Sequence, residues 1–402
     1  MVRTLRSRMA RVGMVAAVAL LCAIGTLLTI TDSAALGDAP SGDRLLRTQQ
    51  SPQWHDDHFE NRQPIWADGL AGWRNFLLGS ASPDSSPRSP VPVVRPDPRA
   101  YASPPDSGLR LTWLGHATTL LEVDGAVLLI DPLWSERASP VSWAGPQRWY
   151  PPLIALADLP RVDAVLISHD HVDHLDMGTI VAMRDWSTVF VVPLGIGAHL
   201  ERWGIPAARI VELDWWQSTR VGAVELVATP ARHASGRLRS KTNKTLWAGW
   251  AVAGPRHRVW YSGDTGFHTD LAAIGERLGP FDLTLIEAGQ YDANWPDTHL
   301  GPEQAVEAHR LVRGEVMVPV HWGLIRQAPH AWTEPVERVL AAARCRQVRV
   351  VTPRPGEIVE PMQATTAPWW PALPWRTAEQ FPVQATVSGD PAHRERVPAC
   401  PS

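Results

Sequence analysis

Between Ser168 and Asp176 the chain reads Ser-His-Asp-His-Val-Asp-His-Leu-Asp, directly after the short apolar stretch Asp163–Ile167. A stretch that brief and apolar reads as a buried strand. A buried strand that runs into a loop of histidines and carboxylates tolerates few folds. The strand must lie in a sheet whose end faces a cleft, because polar groups taken out of water need partners. Imidazole and carboxylate are also the ligands that borderline divalent metals take. His169 and His171, two residues apart, are spaced to grip one ion, and Asp173 and His174 follow where they serve a second. The three cysteines, Cys22, Cys345 and Cys400, form no Cys-x-x-Cys pair, so a thiolate metal site is excluded. If metal binds, His and Asp bind it.

Two ions need more donors than one loop supplies. The rest of the sequence offers them at strand ends: His233 after Val224–Thr229, Asp264 after Arg258–Tyr261, and His321 after Val316–Val320. Surface histidines would not collect at the ends of apolar strands. Gly263 and Gly266 flank Asp264 and permit a tight turn there. Asp131 ends the strand Ala126–Ile130, where capping the turn before Pro132 is its plainest role. Asp176 reads as the cap of a helix starting near Met177. His55, His58, His257 and His330 read as ordinary surface or core residues.

The chain's 402 residues suffice for one large domain or two ordinary ones. Residues 1–35 read as a signal peptide or membrane anchor. Arg3, Arg6, Arg8 and Arg11 precede an apolar run from Met14 to Ile30, and Ser33-Ala34-Ala35 offers a small-residue cleavage site. Either outcome puts the remainder on the extracytoplasmic side, since the arginines stay inside. Residues 36–108 read as an irregular arm or linker. Its stretch Ser82–Pro105 is too rich in proline for sheet or helix, and Asp68–Leu78 is a candidate short helix. From Leu109 onward strands come first in runs, with Asp124-Gly125 as a hairpin turn. They then alternate with helices at His268–Leu278, Pro302–Val312 and after Thr333. That order suits an α+β chain with sheet packed on sheet over 109–360. Residues 361–402 read as an irregular tail, and removal of Cys22 would leave Cys345 and Cys400 as the available disulfide pair.

The motif His-x-His-x-Asp-His at 169–174, followed by His233, Asp264 and His321, resembles the metallo-β-lactamase superfamily. Trp113–Thr118, Leu129–Pro132, Arg137–Pro140, Gly145–Arg148, Pro302–His309 and His321–Gly323 are similar to its N-acyl-phosphatidylethanolamine-hydrolysing phospholipase D branch. The resemblance runs from about Leu109 to Val351. It implies an αββα sandwich of two mixed β-sheets with helices on the outer faces. It assigns one metal to His169, His171 and His233, the other to Asp173, His174 and His321, and Asp264 between the two. The metals would be zinc, with iron or manganese acceptable to the same ligands. Two cations roughly 3.5–4 Å apart bring the pKa of a shared water near neutrality, giving a hydroxide that attacks phosphorus or a carbonyl carbon. Asp173 or a neighbour would hold that hydroxide's proton. The resemblance gives Asp131 the task of orienting a histidine ligand. It places His299, and similarly His116, near the metals, where an imidazole serves to protonate a leaving group or to bind phosphate.

The leading expectation is a phosphodiesterase acting on membrane phospholipid. Trp143, Trp149 with Tyr150, and Trp369–Trp370 are candidates for a lipid-facing surface among the 20 tryptophans, whose other reading is core packing. A lactonase or amide and β-lactam hydrolase using the same metals is the alternative. A third is an oxygen-reducing relative, which usually carries a carboxylate where this chain has His171. A fourth is a non-catalytic cell-envelope binding protein. A net charge of −3 with scattered arginines argues against nucleic acid as partner.

Overall fold

The computed structural model describes residues 34–68, 81–237, 242–365, 367–395 and 397. The apolar run Met14–Ile30 lies outside them, as do Cys22, Cys400 and nearly all of the candidate helix Asp68–Leu78. No helix among the described residues is long and apolar enough to cross a membrane.

Ahead of the sandwich lie helix α1 (Gly42–Gln49) and two short paired strands, β1 (Trp54–His55) and β2 (His58–Phe59). The first large sheet is built from β3 (Leu109–Gly115), β4 (Thr118–Val123), β5 (Ala126–Ile130), β6 (Ala164–Leu166), β7 (Val189–Pro193) and β8 (Ile210–Leu213). The second holds β9 (Ser218–Val221), β10 (Val224–Thr229), β11 (Gly249–Ala253), β12 (Arg258–Tyr261), β13 (Phe281–Glu287), β14 (Gly314–Val320) and β15 (Arg349–Val350) in that order. A last strand, β16 (Ile358–Val359), returns to the first sheet beside β3. Each sheet thus has three antiparallel contacts followed by three parallel ones. In the first they run from β16 through β5 and then β8, and in the second from β9 through β12 and then β15.

The turn between β4 and β5 shows how local sequence sets this register. Asp124 (φ 48°) and Gly125 (φ 88°) are both left-handed, the geometry of a two-residue turn matched to strand twist, and Val123 pairs with Ala126. Alternation along the second sheet then sends residues to two cores. Leu226, Ala228, Val259 and Tyr261 join the buried cluster shared with the first sheet. Val227, Trp260 and Met317 face the opposite way and pack with Leu271 of α4 (Asp270–Leu278), Val306 of α5 (Pro302–Leu311) and Val339 of α6 (Glu334–Arg346). Ile180 of α2 (Met177–Ala182) and Leu200 of α3 (Gly197–Arg202) pack into the first cluster. The arrangement is α+β, two mixed sheets face to face with helices outside.

Several sequence expectations change in detail. Residues 36–108, read as irregular, hold α1, β1 and β2, and Ser82–Pro105, read as unable to form helix, holds one 3-10 turn at Pro98–Tyr101, where Asp97 accepts from Arg99 N. Thr333, read as a helix cap, has helical backbone angles and makes no side-chain cap bond. The proline-rich arm forms no strand over 82–97, but it lies against the domain. Val94 N donates to Pro355 O (2.8 Å), Ser82 N donates to Pro329 O (2.7 Å), and the Tyr101 hydroxyl shares a 2.9 Å bond with Thr112 Oγ1. Cys345 is engaged in a disulfide.

Candidate metal centre

The residues singled out by the sequence lie at the carboxyl ends of strands, and those ends meet at one edge of the sandwich. The loop after β6 starts with Ser168 and is fixed by Asp131, which follows β5. Asp131 is fully buried, and its carboxylate accepts from Ser168 N (2.8 Å), Ser168 Oγ (2.6 Å), Tyr261 Oη (2.5 Å) and His174 Nδ1 (2.7 Å). With Nδ1–H donated to Asp131, His174 aims Nε2 into the cleft. Ser168 Oγ, having given its proton to Asp131, accepts at 3.0 Å from His169 Nδ1 and fixes that ring in the same tautomer.

His169, His171 and His233 form an imidazole trio. His169 Nε2 is 2.8 Å from His171 Nδ1, which is 3.2 Å from His233 Nε2. His233 Nδ1–H donates to Thr298 O at 2.8 Å, so its Nε2 also carries a lone pair inward. A second group joins Asp173, His174 and His321, with His116 alongside. His174 Nε2 lies 3.1 Å from His321 Nε2, and Asp173 Oδ2 accepts from His116 Nε2 (2.9 Å) and Gln327 Nε2 (2.8 Å). Asp264 stands between the groups. Its Oδ2 is 3.1 Å from His174, 3.2 Å from His321, and 3.8 Å from both His169 and His233. Its Oδ1 is buried and lacks a hydrogen-bond partner among the described residues.

This donor set fits divalent cations. Three imidazole nitrogens converge, His169 and His233 presenting Nε2 lone pairs to His171 Nδ1, and a buried carboxylate oxygen waits without a donor. The side chains gather in overlapping groups, His169 with His171 and His233, His116 with Asp173, His174 and His321, Asp264 with Glu287, His299 and His321, and Asp264 with His169 and His174.

The family described as the β-lactamase superfamily domain matches residues 127–322. An uncharacterized protein of Mycobacterium tuberculosis is 47% identical over 349 residues, spanning 84% of this chain and 92% of its own length. A metal-dependent hydrolase of Pyrobaculum arsenaticum is 30% identical over 256 residues, covering 63% of this chain and 100% of its own. The N-acyl-phosphatidylethanolamine-hydrolyzing phospholipase D 1 of Caenorhabditis elegans is 40% identical over 230 residues, 54% of this chain and 65% of that relative. The chain belongs to the metallo-β-lactamase superfamily. It is a metal-dependent hydrolase.

The electrostatics of this metallo-β-lactamase cleft favour positive charge. Burial drives His169 and His233 well below the ordinary histidine pKa, with neighbouring imidazoles adding to it, and burial also lowers His171. Burial opposes protonation of His174 too, but Asp264, Asp173 and Asp131 outweigh it and raise its pKa well above the usual value. At His321 burial is likewise overcome, chiefly by Asp264, and the pKa rises to about 9. Burial works against the Asp264 and Asp173 carboxylates, yet His174 and its neighbours hold both ionised, well below the usual range.

Three residues that shape the cleft have left-handed backbones: His116 (φ 52°), Asp131 (φ 39°) and His321 (φ 69°). Such angles cost about 1–3 kcal/mol each outside glycine and gather at functional sites. Here they turn side chains off their strands into the cleft. His116 N donates to Trp322 O (3.0 Å) and His321 N to His116 O (2.8 Å), tying the two sheets together beside the donors. Gly263 turns at φ 59°, and a Cβ on Gly266 would meet Asp297 O at 1.9 Å, so both glycines flanking Asp264 are required.

His299 lies at the cluster, its Nδ1 3.9 Å from Asp264 Oδ2. The sequence reading did not name its partner Glu287, the last residue of β13. Glu287 Oε2 accepts from His299 Nδ1 (2.8 Å) and lies 3.4 Å from His321 Nδ1, while Oε1 accepts from Thr265 N (2.5 Å). The available signal was a charge closing the apolar strand Leu283–Ile286, the same placement that marked His321. His55, His58, His257 and His330 are absent from the candidate metal groups, and His257 Nδ1 instead bonds Asp124 (2.7 Å). Asp176 caps α2 through Gly178 N and Thr179 N.

Proposed function

We propose that the chain is a two-metal phosphodiesterase of the phospholipase D type, cleaving N-acyl-phosphatidylethanolamine or a related phospholipid on the extracytoplasmic side of a membrane. The observation that carries this reading is the Glu287–His299 pair. His299 is 17% exposed in its side chain, beside Asp264, with a fully buried carboxylate behind it. A phosphodiester leaves as an alkoxide that needs a proton, and an imidazole backed by a carboxylate supplies one.

His169, His171 and His233 would hold one divalent cation, and Asp173, His174 and His321 the other, with Asp264 between. Zinc suits these ligands best. Cations held there would supply positive charge for the phosphoryl oxygens and a water acidic enough to ionise near neutrality. The chain's own residues do the rest. Asp131 and Ser168 hold the tautomers of His174 and His169. His116 and Gln327 both donate to Asp173 Oδ2 and fix its carboxylate. His299 donates its Nε2 proton to the departing alkoxide oxygen, while Glu287 steadies the imidazolium through Nδ1–H.

A lipid surface as partner draws support from Trp143. It is 56% exposed, in the loop that Arg137 closes by donating to Gly145 O (2.8 Å) and Gln147 Oε1 (2.9 Å). Trp149 N, just past that loop, donates to Leu324 O (2.8 Å), so the loop flanks the strand that delivers His321. Tyr150 and Trp370 are buried, Trp149 is partly buried edge-on against Trp332 (5.7 Å) and Trp369 stacks on Trp322 at 5.3 Å, which leaves Trp143 the most exposed of these rings. Relationship to the Caenorhabditis elegans phospholipase favours the same substrate class.

The test uses metal-quantified protein with N-acyl-phosphatidylethanolamine vesicles. Wild type should release phosphatidate, and His299→Ala should slow this about 10²–10⁴-fold with metal content intact. Metal-loaded protein that cleaves neither these vesicles nor bis(p-nitrophenyl) phosphate would end the phosphodiesterase reading.

A further inference from the structure

His233 is the one member of the imidazole trio that does not come from the loop after β6. It lies in an irregular stretch behind β10, beyond the reach of the sheet's hydrogen-bond ladder. A side chain from the N-terminal segment holds its backbone instead. Asn61 Nδ2 donates to His233 O (2.7 Å) and His233 N donates to Asn61 Oδ1 (3.0 Å). The carboxamide thus offers His233 the donor and acceptor that a neighbouring strand would offer. Among the described residues no other group bonds that backbone.

Asn61 is itself held firmly. Two residues earlier, Phe59 is fully buried, packs edge-on against Trp54 (5.0 Å), and donates its N–H to Asn243 O (2.8 Å). Just beyond, the buried Arg232 guanidinium donates to Gln63 O (3.2 Å) and to Pro64 O. Trp66 N donates to Asp297 Oδ2 (2.8 Å), next to Thr298, whose carbonyl orients the His233 ring. Residues 59–66 therefore brace His233 twice, at its backbone and through the loop that sets its ring.

We propose that Asn61 is a positioning residue for His233 and, through it, for the metal position of the imidazole trio; this rests on the two-metal reading above. The other position has different braces, namely Asp131 on His174, His116 and Gln327 on Asp173, and Glu287 beside His321. The two positions therefore depend unequally on the N-terminal segment. Loss of Asn61 loosens one and spares the other, as expected when an outer partner of a metal ligand is removed.

The experiment strips the full chain of metal and titrates it with Zn²⁺ alone against a chelator. Wild type should take two ions. Asn61→Ala should weaken one of them about 10–100-fold and leave the other unchanged. Asn61→Asp keeps the acceptor for His233 N and loses the donor, so it should fall between. Arg62→Ala, which removes an exposed ion pair to Asp270, should change neither. If Asn61→Ala does not fold, Asn61→Asp decides: one weakened ion supports the proposal, and two unchanged ions overturn it. A lower melting temperature with both affinities intact, or equal weakening of both ions, would reduce Asn61 to a structural strut. Wild type that takes up no Zn²⁺ would remove the two-metal reading itself, an outcome distinct from a folded Asn61→Ala that keeps both ions.

Discussion

The two sheets share one pattern of strand directions yet deliver their donors in opposite styles. The first sheet gathers His169, His171, Asp173 and His174 in the single loop after β6. The second spreads His233, Asp264, Glu287 and His321 over the ends of β10, β12, β13 and β14, one residue to a strand. Donors on one loop are placed relative to each other by a few local torsions. Donors on four strands depend on the packing of the whole sheet and on outside braces. Asn61 braces His233, Glu287 braces His299 and lies beside His321, and the crowded glycines around Asp264 fix its turn.

That contrast makes Asp264 the place of greatest leverage. Asp264→Asn keeps the shape but removes the charge between the two groups of histidines. We expect both metal affinities to fall and turnover to drop at least about 10³-fold. In the first sheet, His169→Ala should cost mainly the ion of the imidazole trio. Metal counts on the two variants give the comparison directly. An Asp264→Asn protein that kept both ions tightly would break the idea that the second sheet holds the shared ligand.

Glu287→Gln tests a brace in the same sheet without touching a proposed metal ligand. It should slow phospholipid cleavage about 10²-fold, because His299 loses the carboxylate that steadies its charge. Bis(p-nitrophenyl) phosphate should hardly notice, since nitrophenolate leaves without a proton. Equal losses on both substrates would mean that Glu287 acts through His321 and the metals instead.

Asp131→Asn is the matching change in the first sheet. The amide still accepts from Ser168 but no longer holds His174 by a charge-assisted bond. Zn²⁺ affinity at the Asp173, His174 and His321 position should fall about 10-fold, toward the low end for outer partners, because loop neighbours keep His174 near its place. A loss larger than that of Asn61→Ala would reverse the view that loop donors need less bracing than scattered ones.

The same difference decides what could be read from the sequence. The loop at 168–176 announces itself by spacing, and His233, Asp264 and His321 by following apolar strands. Glu287 follows the apolar stretch Leu283–Ile286 by the same rule and was left unnamed, because a lone glutamate before Ala288-Gly289 carries no metal-ligand spacing. Asn61 left no signal, since its bonds to His233 join residues 172 apart and depend on no local pattern. Proline content told that 82–105 forms no strand, and it missed the 3-10 turn at Pro98–Tyr101. It was silent on packing, because extended segments bond wherever the domain offers a carbonyl, as Pro355 does for Val94. The tryptophans were ambiguous for a related reason. Composition counts rings and does not say which side of the sheet they occupy, and Trp113, Trp247, Trp250, Trp260 and Trp322 are all buried.

The smallest expected effect concerns the helices that cover the second sheet. His309 of α5 is buried, shares a 2.8 Å bond with Thr284 Oγ1 on β13, and is pushed by burial down to about 4. The unfolded chain protonates this histidine near 6.5. A depressed folded pKa gives stability that is complete above the unfolded value and is lost as pH falls toward the folded one. Between pH 7 and pH 5.5 the folded state should lose about 1 kcal/mol from this residue alone. Metal-site histidines titrate as well, so the informative quantity is the stability difference between wild type and His309→Asn at each pH, from denaturant unfolding of metal-free protein. That difference should shift by about 1 kcal/mol against wild type on acidification. A difference that stays flat would mean that His309 takes up its proton in place, and that the helix layer over the second sheet admits water.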